Sequence, residues 1–232
     1  VDTRALYAQQ VSLRFAGFGG RKKAVAGTGL DPWMSQTVTR YGEEQAWFSL
    51  GGGYAWDGDE PKYKVGATVT YDHRVFHRKR RAHHADPSLE DVYDTDKLHG
   101  YHTGISLFEI LANINIDLRD QKGQPSNGIT LSAFGGGVPE QDGFNYWRYG
   151  FDNGIYFNLY KKNRVLLLRT LFEAVDGDDR EIPFSAYPML GGVDRLRGYK
   201  TGHFRDKKAG AVTFEYHYPI HEYIMGELFL DV

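Results

Sequence analysis

Alternation with a period of two residues runs through most of this chain and confines it to strands. Over 63–71, Tyr63, Val65, Ala67, Val69 and Tyr71 take one side of an extended chain, and Lys64, Gly66, Thr68 and Thr70 the other. Over 212–218, Val212, Phe214, Tyr216 and Tyr218 oppose Thr213, Glu215 and His217. Over 114–119, Ile114, Ile116 and Leu118 oppose Asn115, Asp117 and Arg119. Successive side chains of a strand point to opposite faces, so each segment has one greasy and one wet side. No segment shows a comparably clean helical period, and the chain reads as all-β.

The pattern predicts about nine strands, roughly 9–18, 45–56, 63–76, 99–119, 128–137, 148–160, 164–175, 209–218 and 223–232. The connections then alternate in length. Those at 19–44, 77–98, 138–147 and 176–208 are long, and those at 57–62, 120–127, 161–163 and 219–222 are short. Long loops on one rim and short turns on the other are how outer-membrane barrels are built, which predicts an antiparallel meander forming a transmembrane β-barrel. Single-chain bacterial barrels normally have an even number of strands. The odd count therefore predicts that the whole of 1–232 is part of one barrel domain that lacks strands at one or both ends or closes with another chain.

Composition agrees with strands and narrows the rest. The chain has 28 Gly, 16 Tyr and 14 Phe, residues that favour strands or mark their turns and bends. Its mean hydropathy of −0.52 is that of alternating strands as much as of a soluble protein. No apolar run reaches the roughly 18 residues of a transmembrane helix. Val1-Asp2-Thr3-Arg4 is not a signal peptide, so cleavage of a precursor would lie upstream. Cysteine is absent, which excludes a disulfide scaffold and Cys-based zinc or redox sites. A net charge of −2 argues against a nucleic-acid partner. A soluble barrel or sandwich remains open on alternation alone. Charges in mid-strand on the polar faces, at Arg14, Asp117, Arg169, Glu173 and Glu215, fit a wet lumen better.

Residues 190–232 carry the most specific pattern. Leu190-Gly191-Gly192-Val193-Asp194-Arg195-Leu196-Arg197-Gly198-Tyr199 is followed by Gly202-His203-Phe204-Arg205-Asp206-Lys207. Then come Phe214-Glu215-Tyr216-His217-Tyr218-Pro219-Ile220 and Phe229-Leu230-Asp231. Upstream, Asp117-Leu118-Arg119-Asp120 precedes Pro125 and Gly128. In this order the segments resemble the bacterial surface antigen barrel of the BamA/TamA superfamily. Its long outer loop carries an Arg-Gly-Tyr or Arg-Gly-Phe tip, and strands with Glu-Tyr-x-x-Pro and Phe-x-Asp follow. The resemblance spans about 99–232 and implies about nine strands of sixteen. The POTRA modules of the family are not in this sequence.

The resemblance implies a site as well as a fold. The loop would fold back into the barrel and set Arg197 against acidic groups of the lumen wall. Alternation points Glu215 and Asp231 to the lumen, so these are the expected partners, and a planar guanidinium suits such a bridge better than Lys. Gly198 would let the tip turn tightly, with Tyr199 beside it. Asp117, Arg119 and Asp120 would form the family's turn. The implied function is insertion or assembly of outer-membrane proteins, or polypeptide translocation, in the bacterial outer membrane. The implied partners are outer-membrane lipids and lipopolysaccharide, unfolded outer-membrane protein clients, and other subunits of an outer-membrane complex. An accessory barrel in a larger assembly is the alternative, and a passive pore a third.

Other features are weaker. His77, Arg78, Lys79, Arg80, Arg81, His83 and His84 form a basic run before the acidic stretch Asp86–Asp96. It reads as a solvated outer loop or a contact for lipopolysaccharide phosphate, and its spacing fits no metal template. Gly51-Gly52-Gly53 and Gly135-Gly136-Gly137 lack the context of phosphate loops and read as strand ends or bends. Asp176, Asp178 and Asp179 read as a turn cluster. Trp33, Trp47, Trp56 and Trp147 sit near predicted strand ends, where an interfacial girdle or ordinary strand composition explains them. No catalytic site, resident cofactor or metal is expected.

Overall fold

The computed structural model describes residues 5–8, 12–15, 23–25, 39–56, 61–78, 87–160, 164–199, 201–221 and 223–232. Three short pieces, β1 (Ala5–Ala8), β2 (Ser12–Phe15) and β3 (Lys23–Val25), line one edge of β4 (Thr39–Trp56). The sheet continues through β5 (Tyr63–Arg78), β6 (Ile105–Asp117), β7 (Gly128–Gln141), β8 (Phe144–Tyr160) and β9 (Arg164–Asp176). Two-residue strands β10 (Met189–Leu190) and β11 (Phe204–Arg205) pair in the following loop, and β12 (Lys208–His221) and β13 (Ile224–Asp231) complete the order. From β4 to β9, and on to β12 and β13, each strand pairs antiparallel with the next one in the sheet. This is the meander of a membrane barrel. Of the predicted first strand, 9–18, only β2 lies within the described residues.

Register decides which face meets the membrane. Leu50 pairs with Val69, Val69 with Ile110, and Phe214 with both Leu168 and Leu230. Large apolar side chains on this face stay exposed, Phe108 at 49% and Leu230 at 60% among them. The opposite face is polar: Thr70 pairs with Glu109, Asn115 with Ser132, and Thr213 with both Arg169 and Asp231. A soluble sandwich buries its apolar faces. Here the apolar face is the outer one, as hydrocarbon requires, and the polar face lines the lumen.

The buried apolar cluster sits at the long-loop rim. Tyr41, Phe76, Tyr101 and Phe184 pack edge-on or stacked, with ring centroids 4.7–6.5 Å apart. Leu89, Ile105, Leu107, Val138, Tyr146 and Ile182 join them, so that the loop residues Leu89, Tyr101, Ile182 and Phe184 pack with strand ends as a dome over the lumenal face. The dome corrects two predicted boundaries. Residues 99–104 form turns rather than the start of β6, because Tyr101 is drawn into the dome and is 3% exposed. The predicted loop 138–147 is instead a tight hairpin. Asp142 (φ 48°) and Gly143 (φ 82°) both adopt positive φ, the requirement of a type I′ turn, and β7 and β8 rise into the dome through Val138, Phe144 and Tyr146.

The Trp positions separate in the same way. Trp56 stacks on Tyr63 at the short-turn rim, 5.6 Å between centroids, and Trp147 is exposed near the other rim. Trp47, placed near a strand end by sequence, lies inside the longer β4, in register with Asp72. Trp33 is outside the described residues.

Candidate functional site

The connection from β9 to β12 does not project outward but folds over the lumenal wall. Its tip is closed by its own backbone: Gly192 N–H donates to Tyr199 O (2.8 Å) and Leu196 N–H to Gly192 O (3.3 Å). The left-handed conformations that shape it fall at Gly191 (φ 108°) and Gly192 (φ 97°). Gly198, expected to make the turn, is not in that region, and a Cβ added there meets nothing within 4 Å. The turn is made one bend earlier, at the Gly-Gly pair. Tyr199 is exposed and lies against His203 and Phe204, with ring centroids 4.9 and 5.0 Å away.

From this tip Arg197 reaches the wall built by β12 and β13. Its Nε and Nη2 donate to Oδ2 (2.9 Å) and Oδ1 (2.8 Å) of Asp231, and its own backbone N–H donates to the same Oδ2 (2.8 Å). Nη1 lies 2.8 Å from Glu215 Oε1 and 3.0 Å from Glu227 Oε1. The guanidinium carbon stands 3.7 Å from the centroid of the Phe229 ring, a cation–π contact. Thr213 Oγ1 donates to Asp231 Oδ1 (2.9 Å), so that oxygen also receives a bond from the strand itself. The grouping follows from register. Thr213 pairs with Asp231, Glu215 with Phe229 and His217 with Glu227, so all share the lumenal face.

A second clamp lies beside the first. Arg195 grips Glu173 of β9 bidentately, at 2.7 and 2.5 Å, and Arg169 grips Asp152 of β8 at 2.8 and 2.5 Å. Arg169 Nη1 also donates to the backbone oxygen of Asp194 in the tip (2.9 Å). The tip is therefore held by three consecutive wall strands, β9, β12 and β13, and Asp152 of β8 braces Arg169 from the next strand. Fork-to-fork pairs of this kind fix orientation as well as energy. Sequence reasoning singled out Arg197, Glu215 and Asp231 but not Arg195, Glu227 or Phe229. Glu227 and Phe229 have the same parity as Asp231, which was the available signal. A lumenal cavity of about 310 Å³ lies next to the clamps, lined by Asp72, Arg74, Glu109, Arg148, Glu173 and Arg195 among others.

Asp117, Arg119 and Asp120 stand at the opposite rim, where β6 turns into β7. Arg119 donates through Nε and Nη2 to the two oxygens of Asp117 (2.8 and 2.7 Å). Asp120 organises the turn: its Oδ1 accepts from the N–H groups of Gln121, Ser126 and Asn127, and its Oδ2 accepts from Ser126 Oγ. These bonds, the Ser126 hydroxyl first, pull the Asp120 carboxyl down to a pKa of about 2. In the outer loops, Arg78 meets Asp91 (2.5 Å) and Glu90 (3.7 Å). Of the basic run, Lys79 to His84 lie outside the described residues.

A family model for the Omp85 superfamily domain matches residues 5–232, nearly the whole chain. The chain belongs to the Omp85 superfamily. Among solved structures, BamA from Haemophilus ducreyi, in a crystal structure lacking POTRA domains 1–3, is similar in fold with a TM-score of 0.59 and 14% identity. The match covers 87% of this chain and 47% of that one, so the Omp85 chain described here spans about half the length of that structure. No curated protein matches it.

Proposed function

We propose that this Omp85 barrel resides in the bacterial outer membrane and assists the insertion or assembly of outer-membrane proteins, or moves polypeptide across that membrane. The observation that carries the reading is the loop tip clamped to the lumen wall through Arg197 in a chain of this superfamily. Arg197 acts as a structural lock and not as a catalyst: Asp231, Glu215 and Glu227 hold it, and it fixes how β12 and β13 stand to the loop. The barrel's apolar outer face meets lipid, and its outer rim meets lipopolysaccharide. Unfolded outer-membrane proteins are the clients, received by pairing with an unsatisfied strand edge. A passive pore fits poorly, because the clamped loop covers the lumenal face of the wall strands.

The test is insertion of an unfolded barrel client into liposomes by the full-length protein, scored by protease protection. Wild type is run beside Arg197→Ala and empty liposomes. Insertion faster than in empty liposomes, and slowed in the variant, is the expected result. A folded wild type that gives no acceleration overturns autonomous insertion and leaves an accessory subunit of a larger complex.

A further inference from the structure

The clamp around Arg197 is unbalanced in charge. Asp231, Glu215 and Glu227 bring three carboxylates to one guanidinium. The neighbouring cation on the same wall, Arg169, is engaged bidentately by Asp152. Arg197 takes Oε1 of both Glu215 and Glu227, and their other oxygens turn to a single nitrogen. His217 Nε2 lies 3.1 Å from Glu215 Oε2 and 4.0 Å from Glu227 Oε2. One ligand atom from each of the three residues falls within 4.8 Å of the others.

We infer that Glu215, His217 and Glu227 form a binding site for a divalent first-row transition-metal ion, with Zn²⁺ as the best fit. One imidazole nitrogen and two carboxylate oxygens are a donor set such ions accept, with positions left for water. Ligand atoms around an ion at about 2.1 Å stand roughly 3–3.5 Å apart. The His217–Glu215 distance already satisfies this, and only Glu227, whose side chain is 46% exposed, must close in. A ligating carboxylate is tuned by what holds its second oxygen. Arg197 supplies that hold for both glutamates, so they reach the metal already oriented. The ion would balance the two surplus negative charges and tie β12 to β13 directly below the lock. None of this depends on the insertase reading.

The experiment is a Co²⁺ titration of the full-length protein in nanodiscs, followed by visible absorption, with Zn²⁺ as competitor. Expected are one saturable Co²⁺ site displaced by Zn²⁺, and binding weakened tenfold or more in His217→Ala and in Glu227→Gln. Glu227→Gln keeps the shape of a half-exposed side chain, so it covers the case in which His217→Ala fails to fold. Far-UV circular dichroism reports folding of each variant. No absorption band from folded wild type overturns the site and leaves His217 as a hydrogen-bond partner of Glu215. A band that survives both variants and disappears in His83→Ala/His84→Ala overturns it equally.

Discussion

Arg197 shows why residue type matters as much as charge. Its fork takes both oxygens of Asp231 while its flat face covers Phe229. Asp231 is left 8% exposed. Arg197→Ala strands that carboxylate and is expected to cost about 3 kcal/mol, the low end for a broken buried pair because Arg197 itself is 22% exposed. Arg197→Lys should recover less than half of this, since an ammonium offers no fork and stacks poorly. Urea unfolding of both variants in lipid vesicles measures the difference. Asp120 gives a prediction of another kind. Its folded pKa, about 2, lies below the ordinary carboxylate value of 3.8, so its contribution is present above pH 3.8 and is lost as pH falls through about 2. An NMR titration of its side chain should find that midpoint, and Ser126→Ala should raise it. At this scale much was legible: parity alone put Glu215 and Asp231 on the wall. Arg195 was not legible, because its partner Glu173 stands on another strand and nothing in a loop's sequence states which wall it will meet.

Elements were legible wherever alternation was unbroken. β5, β9 and β13 begin and end within a few residues of where the pattern places them. The misreadings fall where a strand end leaves the membrane and joins the dome, a matter of tertiary packing, and at Asp142-Gly143, a local hairpin signal outweighed by the expectation of a long loop. Glycine inside a strand has a comparable logic. A Cβ at Gly136 would lie 1.9 Å from the carbonyl oxygen of Ile110, so β6 and β7 approach there as only glycine permits. At Gly135 the nearest atom is Tyr149 Cβ, at 3.9 Å. Gly136→Ala should therefore destabilise the barrel by roughly 1–3 kcal/mol, as overpacking does. Gly135→Ala should stay within about 0.5 kcal/mol of wild type. Paired urea titrations of the two variants check the contrast.

For the molecule as a whole, the decisive property is that its greasy side is outside. Phe151 is 40% exposed on that side, and its neighbour in sequence, Asp152, faces the lumen in register with Ser132. Phe151→Lys is expected to cost about 2–4 kcal/mol in a bilayer. Ser132→Lys, at the same depth but beside Asp152, should cost little. Unfolding in vesicles separates the two, and a soluble fold would reverse their order. Alternation foresaw two unlike faces but not which one turns outward; mid-strand charge and the order of motifs suggested it. The clamp also makes one contact conditional on another. Arg197 is answered by Glu215 from one strand and by Glu227 and Asp231 from the next. Until those strands lie side by side, the guanidinium finds only part of its ring of acceptors. Full docking of the loop therefore requires β12 and β13 to be paired, and its seated state is a record that this pairing has been completed.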